Sequence, residues 1–164
     1  MNLKPSAIRK IVILFFSLIG FFLLYINPAA AQSALDAGLS GLPALNISNG
    51  SGEPGMLGMA MHPDWENSPK VYVVYCTGSA FNGDEHLSVF DWDGTSLVNE
   101  EILLTIQAGG IHNGSRLLVL PDNTLLMTAG DIGSSSLAQL EGSLQGKTLR
   151  LNLDGSVPDD NPIA

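Results

Sequence analysis

The chain has 164 residues, 16 acidic and 7 basic, with a formal net charge of −9. An acidic surface of this kind repels nucleic acid and anionic lipid, so a polyanion-binding role is excluded. The single cysteine, Cys76, rules out an internal disulfide; at the end of the apolar run Val71–Tyr75 it reads as a core thiol.

Lys4, Arg9 and Lys10 precede the uncharged run Ile11–Ile26, and Pro28-Ala29-Ala30-Ala31 then supplies the small residues that a signal peptidase requires. That run is shorter than the ~20 apolar residues of a membrane-spanning helix. Residues 1–31 are therefore expected to be a cleaved signal peptide, and the product from Gln32 onward to be periplasmic or extracellular with no membrane span. All the acidic residues lie beyond residue 31, so cleavage leaves a more acidic chain. Residues 32–52, rich in Gly, Ser, Asn and Ala, read as a leader that packs onto the body.

Short apolar and β-branched runs follow, separated by Gly, Pro, Asn and Asp, and predict strands at Met56–Met61, Lys70–Cys76, Leu87–Trp92 and Leu97–Thr105. Arg116–Leu120, Thr124–Thr128 and Lys147–Leu153 continue the series, while Leu137, Leu140 and Leu144 suggest a short helical turn. The fold class is all-β. Pro63-Asp64 recurs as Pro121-Asp122 and Asp93-Gly94 as Asp154-Gly155, each about sixty positions on, in one order. Units of this length, each closing on a strand that ends in Asp-Gly, fit the blades of a β-propeller better than a two-sheet sandwich. About two units fit in the chain, against the four to eight of a closed propeller. The expectation is a partial propeller, the amino-terminal portion (residues 32–164) of a larger domain.

Three histidines are present, and His62, before Pro63, and His86, beside Asp84 and Glu85, read as turn residues. His112 lies in Gly109-Gly110-Ile111-His112-Asn113-Gly114-Ser115, where glycines allow a ligand close to the backbone. If the two strands that follow pair antiparallel, Asp131 reaches the same sheet end, where a carboxylate can orient the imidazole as a general base. On pattern alone an ordinary loop histidine remains the commoner case. Paired metal-ligand spacing, a Gly-x-Ser-x-Gly elbow and a phosphate-cradling loop are all absent from the sequence.

Four blocks carry a family resemblance: Gly52-Glu53-Pro54-Gly55 through His62-Pro63-Asp64; His112-Asn113-Gly114-Ser115-Arg116-Leu117; Pro121-Asp122 through Gly130-Asp131; and Gly146-Lys147-Thr148-Leu149-Arg150 through Asn161-Pro162. In this order they resemble the soluble glucose, sorbosone and aldose sugar dehydrogenases, which use pyrroloquinoline quinone on a six-bladed propeller. The resemblance implies that His112 is the catalytic base and a cofactor contact, with Asp131 as its carboxylate partner. It implies too that Glu53 reaches the cofactor and substrate pocket. The cofactors would be the quinone and calcium, most of whose binding residues come from later blades, and the partners a sugar and an electron acceptor. Lys147 and Arg150 are assigned strand and turn roles. The chain departs from the family at Ser115, where a glycine is common, at Ile111 and at Gln145. These departures leave a noncatalytic secreted propeller that binds carbohydrate or protein as the alternative, while the four blocks argue against a lactonase-type hydrolase.

Overall fold

A computed structural model describes residues 52–79 and 82–162. The expected signal, residues 1–31, and nearly all of the leader lie outside them. Among the described residues no helix is long and apolar enough to cross a membrane.

β1 (Met56–Met61), β2 (Lys70–Ser79), β3 (Asn82–Trp92) and β4 (Leu97–Ala108) form one antiparallel sheet, in that order. β5 (Gly114–Val119), β6 (Thr124–Ala129) and β7 (Lys147–Asn152) form a second. Every predicted strand is present, but β2 and β3 run further than their apolar segments, pairing as far as Ser79 with Asn82. Polar residues predicted a turn there; the backbone ladder needs only amides and carbonyls, so it continues through them. The predicted helical turn is a short 3-10 turn, Leu137–Gln139, and Leu140 and Leu144 are exposed rather than packed.

The repeat is structural, with one correction to its boundaries. Asp93-Gly94 turns from β3 into β4, and Asp154-Gly155 follows β7, the third strand of the second sheet. The Asp-Gly landmark thus marks the end of the third strand, not the close of the unit. In both places the Asp carboxylate accepts backbone and hydroxyl hydrogen bonds from the residues just after it, Thr95 and Ser96 or Ser156.

Alternation along β2 and β3 sends Tyr72, Val74, Leu87 and Val89 to one face, where they pack on Leu117, Leu125, Met127 and Leu151 of the second sheet. Val71, Val73, Tyr75 and Phe90 occupy the other face with Met59, Trp65 and Trp92. Tyr72 Oη crosses between the sheets to donate to the Leu153 carbonyl at 3.1 Å. At the inner edge β1 meets β5 so closely that a Cβ on Gly58 would lie 2.1 Å from the Ser115 carbonyl oxygen. The two sheets therefore fan out from their first strands, as adjacent propeller blades do.

Leu125 is 0% exposed in the inter-sheet core, and Leu118, on the far face of the same sheet, is 54% exposed. Urea denaturation of Leu125→Ala should show a loss of about 2–5 kcal/mol. Leu118→Ala in this chain should stay within about 0.5 kcal/mol of wild type.

Candidate functional site

The loop between β4 and β5 carries His112, and its shape is set by local chemistry. Asn113 is buried, and its side chain closes the loop on itself: Nδ2 donates to the Gly109 carbonyl at 2.9 Å and Oδ1 accepts the Gly109 amide at 2.7 Å. His112, Gly114 and Ser115 all take left-handed backbone, with φ of 57°, 82° and 75°. Only glycine does so without strain.

β6 brings the second half of the site. Gly114 pairs with Ala129, so the chain leaving β6 runs back under the histidine loop. Gly130 donates to the Asn113 carbonyl at 2.7 Å and Ile132 to the His112 carbonyl at 3.2 Å. A Cβ on Gly130 would stand 1.7 Å from the His112 carbonyl oxygen, so no other residue fits there without moving the loop. Ile132 is itself left-handed, at φ 49°, a conformation that β-branched residues rarely adopt.

This arrangement places the imidazole against Asp131, with Nδ1 3.0 Å from Oδ1. The Asp131 carboxyl is held below the usual carboxylate range, first by the Gly133 amide and then by His112. An ionised acceptor at Nδ1 fixes the tautomer: Nδ1–H donates to Asp131, and the Nε2 lone pair points away from it. The His112 side chain is 58% exposed, and Nε2 has no partner among the described residues. An imidazole so held can accept a proton from a docked hydroxyl.

Glu53 joins the same cluster from the segment that precedes β1. One carboxylate oxygen accepts the His112 amide at 2.5 Å, and the Glu53 amide donates to the Gly110 carbonyl at 2.9 Å. Its engaged oxygen thus holds the backbone of His112. The other two histidines stand apart. His62 Nδ1 accepts the Asp64 amide, as its turn position suggested. His86 lies within β3 between Thr77 and Thr105 rather than in a solvated turn. Lys147 Nζ donates to the carbonyls of Leu137, Ala138 and Gln145, and Arg150 is held by Asp122 and Asp160.

Sequence reasoning passed over Glu85. It is 1% exposed in β3, on the face toward the second sheet, and the Ser115 hydroxyl donates to its Oε1 while Oε2 has no partner. Burial pushes its carboxyl up to about 7, with the Ser115 bond opposing the rise. The signal was its spacing: Glu85, Leu87 and Val89 alternate onto one face. Among the described residues no cluster of three or more His, Cys, Asp or Glu is arranged to hold a metal ion.

Two antiparallel sheets fanning from adjacent inner strands, with an imidazole–carboxylate pair at their shared end, define a β-propeller segment with an open site. The chain belongs to the glucose/sorbosone dehydrogenase family, whose model matches residues 25–164. It is 29% identical to quinoprotein glucose dehydrogenase B of Acinetobacter calcoaceticus, over 71% of this chain and 30% of that one. With the aldose sugar dehydrogenase of Escherichia coli the identity is 31%, over 81% of this chain and 37% of that one. The solved PQQ-bound aldose sugar dehydrogenase of Streptomyces coelicolor superposes with a TM-score of 0.66 at 32% identity, covering 76% of this chain and 37% of that one. The chain thus spans about a third of the length of the relatives it matches.

Glu85 gives the fold a pH signature. Its folded-state value of about 7 lies above the ordinary 4.5, so the native state binds the extra proton. The contribution is whole below 4.5 and is lost as pH rises through 7, a change of about 3 kcal/mol. Denaturation of wild type and Glu85→Gln between pH 4.5 and 8.5 should show that slope only in wild type.

Proposed function

We propose that this chain is the base-bearing portion of an exported, quinone-dependent sugar dehydrogenase that oxidises the anomeric carbon of an aldose or related sugar. The observation that carries the reading is the exposed His112 imidazole, tied through Nδ1 to Asp131 with Nε2 left open. The anomeric hydroxyl would dock at Nε2 and give up its proton there, the step on which departure of hydride from the carbon depends. Asp131 would stabilise the imidazolium that forms, and Glu53 would keep the backbone amide of His112 from drifting.

Pyrroloquinoline quinone, when bound, would supply the hydride acceptor. The side chains bonded to His112 do not by themselves fit that anionic group. Glu53 and Asp131, both acidic, are the ionisable side chains bonded to His112, while Lys147 and Arg150 are committed to carbonyls and carboxylates. Calcium finds no ligand cluster among the described residues either. We assign the groups that hold the quinone and calcium, and the docking of an electron acceptor, to the rest of a protein of the relatives' length. Turnover by this chain alone is not expected.

The test uses a protein of that length carrying this segment, supplied with pyrroloquinoline quinone and calcium, with dye reduction by aldoses as the readout. His112→Gln should lower kcat by about 10²–10⁴-fold, and Asp131→Asn should lower it less. Undiminished turnover in His112→Gln would sink the base assignment, and sugar binding without dye reduction in wild type would favour the noncatalytic alternative. Expression in an exporting bacterium should yield a product that begins at Gln32 by intact mass; retention of residues 1–31 would overturn the export reading.

A further inference from the structure

Glu85 and Ser115 make a contact that the proposed reaction does not use. Glu85 is buried on the face that otherwise carries Leu87 and Val89, and no cation pairs with it among the described residues. An apolar residue would suit that wall, because a buried carboxyl loses its hydration. Ser115 stands at φ 75°, where a residue with a Cβ is strained, yet its hydroxyl is fully buried between the sheets. Both residues act against their intrinsic preferences, and each is the other's partner.

The hydroxyl has a second neighbour. Ser115 Oγ lies 3.3 Å from the Asn113 carbonyl oxygen, which also accepts the Gly130 amide at 2.7 Å. His112 precedes Asn113, and Asp131 follows Gly130. A chain of contacts thus runs from the wall of the first sheet through Glu85, Ser115 and Asn113 to the two backbone segments that carry the imidazole–carboxylate pair. A serine hydroxyl has one hydrogen, which cannot serve Glu85 and Asn113 together. Donation of that hydrogen to Glu85 Oε1 suits the ionised carboxylate and leaves the carbonyl without it; both contacts are made at once only when Glu85 carries a proton and donates it toward Ser115 Oγ, leaving the serine hydrogen for the carbonyl.

We propose that Glu85 and Ser115 are positioning residues for His112: the protonated carboxyl braces the left-handed turn through the serine hydroxyl, and its ionisation slackens the turn. The proposal rests on the reading of His112 as the base for its functional meaning, but the brace itself is measurable without turnover. The strands beside Glu85 present Cys76 from β2 and Ile106 from β4, and Ser115 reaches it from β5. Cys76 is the one titratable neighbour among these, and burial first, then Glu85, raises its thiol further from ionisation, so the carboxyl is the group that switches.

The test is amide hydrogen exchange of the whole chain at pH 5.5 and 8.5, corrected for intrinsic rates. Gly130 and Ile132, the amides that clasp the histidine loop, are read against Val73 and Tyr75 in β2, which report opening of the fold. In wild type, protection of the clasp relative to β2 should fall about fivefold at the higher pH, the size of one ordinary intramolecular hydrogen bond. Glu85→Gln should keep the clasp protected at both pH values, because the amide donates without titrating. Glu85→Met and Ser115→Gly should hold it at the lower level at both; the glycine variant removes the hydroxyl while accepting the backbone, so misfolding is not in question there. Wild-type protection in Ser115→Gly, or a surviving pH step in Glu85→Gln, overturns the proposal. Turnover that survives His112→Gln while the exchange pattern holds removes the base reading and leaves the brace standing.

Discussion

The histidine loop lies against the chain that leaves β6 with no room for a side chain between them. Gly130 sits under the His112 carbonyl, its amide donates to the Asn113 carbonyl, and the next residue along is the carboxylate that holds the imidazole. That contact sets how far β6 can slide along β5, and hence the register that places Leu117 and Met127 in the inter-sheet core. β5 meets β1 at a second close approach, where a Cβ on Gly58 would lie 2.1 Å from the Ser115 carbonyl oxygen. Displacing the Gly130 contact would shift the core and the site together.

The same crowding explains where backbone strain collects. His112, Ser115 and Ile132 are non-glycine residues in left-handed backbone, all within one loop cluster. Each such residue costs of order 1–3 kcal/mol, more than the roughly 1 kcal/mol that a typical hydrogen bond returns. The bonds made by Asn113, Glu53 and Ser115 therefore do not hold the loop unaided. The packed sheets on either side supply the rest of what holds it.

Much of this was legible in the sequence, and the limits are physical. The strands declared themselves wherever a side chain had to be apolar, as in Val71–Tyr75, and their ends were missed where polar residues such as Thr77 and Asp84 still pair through the backbone. His86 was misjudged for that reason. The Asp-Gly landmarks were visible, but their place after the third strand depends on which strands pair, a non-local fact. That His112 and Asp131 meet was legible because glycines flank one and a hairpin ends at the other; the pattern alone left His112 an ordinary loop histidine, and its reading as a base came from the resemblance. The bond from Glu53 to the His112 amide joins residues 59 apart, and nothing local announces it. Glu85 was hidden inside a polar stretch that looked solvated, although its alternation with Leu87 and Val89 pointed to the wall.

The two sheets are joined by polar contacts at both ends of their shared face. Near the site the contact is Ser115 to Glu85; four residues along β2 from Cys76, the cross-strand partner of Glu85, Tyr72 reaches the Leu153 carbonyl. At about 3.3 Å per residue the two fastenings stand about 13 Å apart along the strand, with apolar packing between them. Burial, with the Asp154 charge adding to it, holds the Tyr72 phenol near 12, so this fastening stays a donor across the physiological range. The two fastenings thus differ in chemistry: one rests on a phenol that keeps its proton, the other on a carboxyl raised to about 7.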